Sequence, residues 1–267
     1  MKFKNKSFVF KTTVVILLFI LFLNGRIAEP FLKIIGKTSR RKGDEACKYS
    51  IPILMYHSIS DNKNGFFKVD KNKFRKQMQY IKDNGYETLT LDQVYYYISK
   101  DKQFPDKAVV ITFDDGYKDN YTNAYPILKE LDLKATIFVV ADYITEGSST
   151  IYSSLKELRE MRENGIDIQS HTSKHRKLDK LSYDEQLQDL SLSKAKIEKL
   201  INSNVKFLTY PYGRYNNDTI KIAKKCGYEM AVTTHMGYCN IDNESFKVRR
   251  ICVPGFTSMN IFKRMIY

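Results

Sequence analysis

Apolar residues in this chain fall into short β-branched runs, separated by stretches in which they recur every three or four positions. The runs at Ile51–Tyr56, Ala108–Phe113, Ala135–Val140, Ile166–Ser170, Val205–Tyr210 and Met230–Thr233 read as strands. Helical patterns fit between them. Phe74, Met78 and Ile81 share one helix face and Gly85 follows as a stop, while Ser182 with Glu185 three residues on is a capping box opening a long helix that carries Leu187, Leu190, Ile197 and Leu200. A further helix runs from Asn217 to Cys226 and is closed by Gly227. Continuously apolar strands alternating with helices imply a parallel sheet covered on both faces. Their number suggests a closed or nearly closed barrel, in which the chemistry collects at the C-terminal ends of the strands.

The N-terminus breaks this pattern. Met1-Lys2-Phe3-Lys4-Asn5-Lys6 is basic and precedes an apolar stretch from Thr12 to Leu23, the layout of an export signal. The apolar core is shorter than the ~20 residues of a full span, yet no small-x-small cleavage site follows Asn24-Gly25-Arg26. Cleaved signal and membrane anchor both stay open, with the anchor favoured. The leading lysines hold that end in the cytoplasm and place everything after it outside the cell. The expected organisation is therefore a signal or anchor at residues 1–25, a basic spacer at 26–50 and one catalytic domain at 51–267.

The formal net charge of +14 is spread along the chain, and no nucleic-acid recognition motif accompanies it. A solvated basic surface, a monomer and no nucleic-acid partner are the expectation. Cys47, Cys226, Cys239 and Cys252 form no C-x-x-C pair, which argues against a structural zinc site made of them. Their pairing is left open.

Four strand ends carry chemistry. Val109-Val110-Ile111-Thr112-Phe113-Asp114-Asp115-Gly116-Tyr117 is an apolar strand ending in two carboxylates, which repel each other unless a cation or proton compensates. In a regular strand their side chains face opposite ways, but Gly116 permits a turn that brings both to one cavity. Ile166-Asp167-Ile168-Gln169-Ser170-His171-Thr172-Ser173-Lys174-His175 ends in two of the chain's four histidines, spaced to converge on one ion. One Asp and two His would hold a metal and leave positions open for water or substrate, with the second Asp as base. Amide hydrolysis follows from that set. Tyr210-Pro211-Tyr212-Gly213 supplies rings and a turn for the wall of a sugar groove, with backbone amides near Tyr212 for an oxyanion. His57 closes the first strand and is placed to protonate the leaving nitrogen, ahead of His235 in that role. Taken singly, each motif also fits a plain turn, cap or surface pair.

Together, Thr112-Phe113-Asp114-Asp115-Gly116-Tyr117, Ser170-His171-Thr172-Ser173-Lys174-His175 and Tyr210-Pro211-Tyr212-Gly213 resemble the polysaccharide deacetylases of carbohydrate esterase family 4, over about residues 51–253. The resemblance implies a distorted (β/α) barrel, Asp114 as catalytic base, and Asp115, His171 and His175 as ligands of a divalent metal, commonly zinc. Met55-Tyr56-His57 is similar to the branch that includes deacetylases of poly-β-1,6-N-acetylglucosamine, in which the motifs are circularly permuted and the general-acid histidine lies near the start. The implied activity is removal of acetyl groups from N-acetylglucosamine units of an extracellular polysaccharide. Peptidoglycan is the alternative polymer, and a catalytically silent wall-binding protein the alternative class. Two departures stand out: Thr209 replaces the arginine that commonly precedes the proline motif, and Val248-Arg249-Arg250-Ile251 stands where a Leu-x-x-His motif is usual. The first removes the residue expected to tune Asp114; the second passes the acid role to His57.

Overall fold

The computed structural model describes residues 50–61, 65–240 and 245–266. Residues 1–49, where the expected signal or anchor, nearly all of the expected spacer and Cys47 fall, lie outside them. No helix among the described residues is long and apolar enough to cross a membrane.

Seven parallel strands close a barrel in which spatial order follows chain order: β1 (Ile53–Tyr56), β2 (Ala108–Phe113), β3 (Thr136–Val139), β4 (Asp167–Ser170), β5 (Phe207–Thr209), β6 (Met230–Met236) and β7 (Val248–Cys252). Closure comes from β7 pairing with β1, at Ile251 with Leu54 and Cys252 with Met55. Six of these strands match the apolar runs, shortened by a residue or two at half of their ends and, for β6, lengthened at one. The seventh, Val248–Cys252, was not expected, because Arg249 and Arg250 interrupt its apolar pattern. A short strand, Glu87–Thr88, lies parallel to the start of β2.

Helices cover the outside. They are α1 (Lys71–Asp83) and α2 (Leu91–Ser99) between β1 and β2, then α3 (Tyr125–Glu130), α4 (Leu155–Glu163), α5 (Tyr183–Ile201) and α6 (Asn217–Lys225) in the next four crossovers, and α7 (Met259–Ile266) after β7. Their ends carry the expected chemistry. The Ser182 side chain accepts from the Glu185 backbone while Glu185 returns the bond, and Gly85 and Gly227 take left-handed conformations just past α1 and α6.

Every residue of β1, β2 and β3 is buried, as parallel strands inside a helical layer require. One core cluster joins Ile53, Val110, Phe138, Phe207, Val232 and Val248 of the strands to Leu91 and Val94 of α2. On the other side of the β1–β2 pair, Phe74 of α1 meets Tyr56 at 5.3 Å and Phe113 at 5.8 Å, both edge to face. Full burial of such a side chain contributes about 1.5–3 kcal/mol. Parallel pairing aligns the C-terminal ends of all seven strands at one rim, where the chemistry-bearing residues stand.

Candidate active site

Strand β1 hands its register to the residues that follow. Tyr56 pairs with Phe113, and the Asp114 amide donates to the Tyr56 carbonyl at 3.0 Å, so His57 and Asp114 leave adjacent strand ends side by side. Asp114 still belongs to the ladder. Asp115 takes φ 73° and Gly116 φ 68°, two successive left-handed residues that turn the second carboxylate toward the rim. A Cβ at Gly116 would meet Val139 Cγ1 at 2.9 Å. The expected glycine turn is present, and Asp115 itself bears part of the strain.

The histidines are held as firmly. The His171 amide donates to the Val139 carbonyl at 2.8 Å, and its Nδ1 lies 2.9 Å from the Thr209 carbonyl. That contact requires a proton on Nδ1, so Nε2 is the nitrogen that faces Asp115, as a donor when the ring is charged or as a lone pair for a cation. Beyond it, Thr172 (φ 69°) and His175 (φ 55°) are left-handed. Thr172 Oγ1 accepts from the His175 amide at 3.1 Å, and the buried Asp189 of α5 accepts from the Ser173 amide at 2.7 Å. Strained non-glycine backbone gathered in this way at one rim is a mark of a functional site.

Asp115 Oδ1 lies 3.3 Å from His171 Nε2 and 3.2 Å from His175 Nε2, and one donor atom from each of the three residues falls within 4.8 Å of the others. Metal–ligand bonds of about 2.0–2.2 Å at tetrahedral angles set neighbouring donors roughly 3.3–3.6 Å apart. Two imidazole nitrogens and a carboxylate at these separations fit a divalent cation such as zinc. Without a cation, burial disfavours charge on Asp115, but hydrogen bonds from His171 and His175 outweigh it and hold the carboxyl well below the usual range. For His171 burial likewise opposes charge, and the bond to Asp115 with the charge of Asp114 outweighs it, raising the ring. A cation entering here competes with that proton.

Asp114 turns the other way, into the barrel, onto a residue the sequence reading did not assign. Arg250, 1% exposed on β7, donates from Nη1 to Asp114 Oδ1 at 2.8 Å and from Nη2 to Oδ2 at 2.7 Å. Its remaining donors reach Thr112 Oγ1 (3.1 Å), Thr209 Oγ1 (2.8 Å) and the Thr233 carbonyl (3.0 Å). All five guanidinium N–H groups are thus used. An irregularity in the β6–β7 register between Val232 and Met236 releases the Thr233 carbonyl from the ladder for that bond. Burial pushes the Asp114 carboxyl up, but the charge and hydrogen bonds of Arg250 override it, so Asp114 is held below its ordinary value and ionised.

His57 is fixed through its carbonyl, which accepts from Asn120 Nδ2 at 2.7 Å, and its ring packs on Phe67 at 4.4 Å. Burial lowers its pKa; the charges of Asp114 and Asp115 oppose that shift, while Arg250 and His171 add to it. His57 therefore shares the electrostatics of the site. His235 is exposed on β6 and packs 6.1 Å from Tyr215.

At the end of β5, Tyr210-Pro211-Tyr212-Gly213 divides between support and surface. Tyr212 is left-handed at φ 59°, 57% exposed, and its ring lies 4.7 Å from that of His175. Pro211 is buried, and Gly213 passes so close to Thr234 that a Cβ would sit 2.0 Å from Oγ1. Tyr210 departs from the expected groove-lining role: its side chain is fully buried, stacked on Tyr215 at 4.5 Å, with its hydroxyl donating to the Phe246 carbonyl. Of the cysteines, Cys226, Cys239 and Cys252 are free thiols.

Comparison with known proteins agrees with this geometry. The family model for polysaccharide deacetylases matches residues 101–231. YxkH of Bacillus subtilis strain 168, which bears the family's name, is 39% identical over 208 residues, covering 78% of this chain and 73% of its own. The poly-β-1,6-N-acetyl-D-glucosamine N-deacetylase of Staphylococcus aureus is 30% identical over 223 residues, covering 79% and 76%. Among solved structures, the Streptococcus pyogenes deacetylase PplD in complex with acetate superposes with a TM-score of 0.77 at 35% identity, over 82% of this chain and 98% of that one. With its barrel, its motifs and relatives of this identity and coverage, the chain belongs to the polysaccharide deacetylases.

Proposed function

We propose that this deacetylase acts on the N-acetyl amide of N-acetylglucosamine units in an extracellular polysaccharide, with poly-β-1,6-N-acetylglucosamine as the favoured polymer and zinc as the favoured cation. The observation that carries the reading is the convergence of Asp115, His171 and His175 beside an ionised Asp114, with His57 on the neighbouring strand end. The choice of polymer rests on the Met55-Tyr56-His57 opening and the name of the S. aureus relative.

In this reading Asp115, His171 and His175 hold the cation. When bound, it supplies positive charge that polarises the acetyl carbonyl and makes water easier to deprotonate. Asp114 removes a proton from the attacking water, kept anionic and aimed by Arg250. The backbone N–H of Tyr212 is the donor this reading assigns to the developing oxyanion. His57 delivers a proton to the sugar nitrogen as the C–N bond breaks. Acetamide and water become acetate and a free amine. The basic N-terminal segment would keep this chemistry on the outer face of the membrane, as an anchor or as an export signal.

The test is acetate release by the full-length protein in detergent, after chelation, with and without zinc, on β-1,6-linked N-acetylglucosamine oligomers and on peptidoglycan in parallel. Zinc-dependent release from the oligomers is expected. Release from peptidoglycan alone moves the activity to that polymer. No release from either, with one cation bound per chain, overturns the reading in favour of a silent wall-binding protein or an O-acetyl substrate.

A further inference from the structure

The chain has 19 tyrosines and no tryptophan, so any aromatic element of its sugar groove is built from Tyr or Phe. Three tyrosines stack next to the metal-ligand triad. Tyr143 lies 4.3 Å from Tyr152 at 26°, and Tyr117 lies 5.6 Å from Tyr152 on a nearly parallel plane, at 14°. Tyr117 is the second residue after Asp115, so the stack begins at the turn that presents a ligand.

The segment carrying Tyr152 is fastened to that turn. The Lys118 amide donates to the Ile151 carbonyl at 2.8 Å, the Ser153 amide to the Gly116 carbonyl at 2.9 Å, and Ser153 Oγ to the Tyr117 carbonyl at 3.0 Å. Ser149 Oγ accepts from the Tyr152 amide at 3.1 Å. This hydrogen bonding goes beyond what a connecting loop needs, and it fixes where the Tyr152 ring stands.

With two rings stacked against it, Tyr152 offers a ligand chiefly its edge. For Tyr152 that edge ends in a phenol, which has one donor and two acceptor positions and has the Tyr143 hydroxyl as a neighbour. Tyr152 bridges Tyr117 backbone to backbone as well as ring to ring, which sets it beside the turn that presents Asp115. All three tyrosines of the stack are partly exposed. A sugar presents hydroxyl and amide groups around its rim, so a rigid phenol edge suits it, whereas a simple acetyl ester has nothing there to bind.

We propose that Tyr152 is a specificity-determining residue, whose hydroxyl, positioned by the Tyr143–Tyr152–Tyr117 stack, hydrogen-bonds the sugar ring that carries the scissile acetamide. This rests on the N-deacetylase reading above. The experiment compares wild type, Tyr152→Phe and Tyr152→Ala as zinc-loaded full-length protein, on N-acetylglucosamine oligomers and on 4-nitrophenyl acetate. Tyr152→Phe keeps the stack and loses only the hydroxyl. It is expected to raise KM for the oligomer by roughly 3–10-fold, the loss of one net hydrogen bond, with kcat and ester turnover within about twofold of wild type; Tyr152→Ala is expected to be weaker still on the oligomer.

Unchanged oligomer kinetics in Tyr152→Phe overturn the proposal. So does a parallel loss on both substrates, which would mark Tyr152 as a support for the Asp115 turn. Wild-type protein that cleaves the ester but no N-acetylated saccharide fails the underlying reading itself, and the proposal falls with it.

Discussion

Replacing Arg250 by Met removes the counter-charge of Asp114 and leaves a carboxylate buried inside the barrel. The pair is bidentate, with Asp114 2% and Arg250 1% exposed. Removing one partner of such a pair costs about 3–5 kcal/mol, and at about 2–4 °C per kcal/mol for a domain of this size the melting temperature should fall by roughly 6–20 °C. The sign of the pH effect follows from the direction of the shift. In the wild type Asp114 is held below its unfolded value, so its contribution to stability is present above the unfolded pKa and lost as pH falls through the folded one. Without Arg250 only burial acts strongly on the carboxyl, its pKa rises, and the acid limb of kcat/KM moves to higher pH because the base must be ionised to work. Arg250→Lys keeps the charge but not the five-donor fork, and should fall between wild type and Met. Combining Arg250→Met with Asp114→Asn should recover part of the lost stability, since no charge is then left unpaired. Thermal unfolding and a pH–rate profile check all of this. An Arg250→Met protein with wild-type stability and an unmoved acid limb would refute the account of Asp114.

Three further outcomes are expected. His171→Ala should abolish stoichiometric zinc binding, while Asp114→Asn should bind zinc normally yet lose activity by ~10²-fold or more; zinc titration with acetate release separates the two roles. Gly213→Ala combines a left-handed φ of 64° with a Cβ 2.0 Å from Thr234 Oγ1, and should cost about 2–4 kcal/mol in thermal or urea unfolding, against about 1–2 kcal/mol for Gly85→Ala, which has nothing within 4 Å. At the opposite end of the barrel, burial raises Asp167 to about 6, although Gln169 and Thr136 hydrogen-bond it at 2.8 and 3.2 Å. Its folded pKa exceeds its unfolded one, so stability should decline as pH rises from about 4 to 6, and Asp167→Asn should flatten that decline in melting temperature.

Much of the architecture can be read in the chain because burial on both faces leaves an apolar run, as in five of the seven barrel strands, while β4 shows the alternation of Ile166 and Ile168 with polar neighbours. Helix ends were legible for a local reason: Ser182 and Glu185 satisfy each other within four residues, and Gly85 and Gly227 mark stops that few other residues tolerate. The candidate ligands were legible because Asp114-Asp115 end an apolar strand and two of the chain's four histidines, His171 and His175, follow the end of another strand. Strand β7 was missed because its arginines break the pattern. Arg250 nevertheless points inward, where polar groups from β2, β5 and β6 replace the water it gave up. Periodicity reports which positions are buried; it does not report what waits on the far side of a barrel. Tyr210 failed in the opposite sense, since spacing along the chain does not distinguish a ring lining a groove from one supporting the turn beneath it.

The absence of an arginine at position 209 has the same origin. Read along the chain, Thr209 removes the group expected to tune Asp114. In the barrel, the tuning charge arrives from Arg250, 136 positions away from Asp114 in sequence, and Thr209 Oγ1 accepts one of its five hydrogen bonds. An arginine at both positions would bring two guanidinium groups into one dry space with a single carboxylate to neutralise them, which burial penalises heavily. The short hydroxyl at 209 and the arginine at 250 are therefore two parts of one solution: the first leaves room and an acceptor, the second supplies the charge. A base at Asp114 needs a buried cation beside it, but the strand from which that cation comes is free to differ.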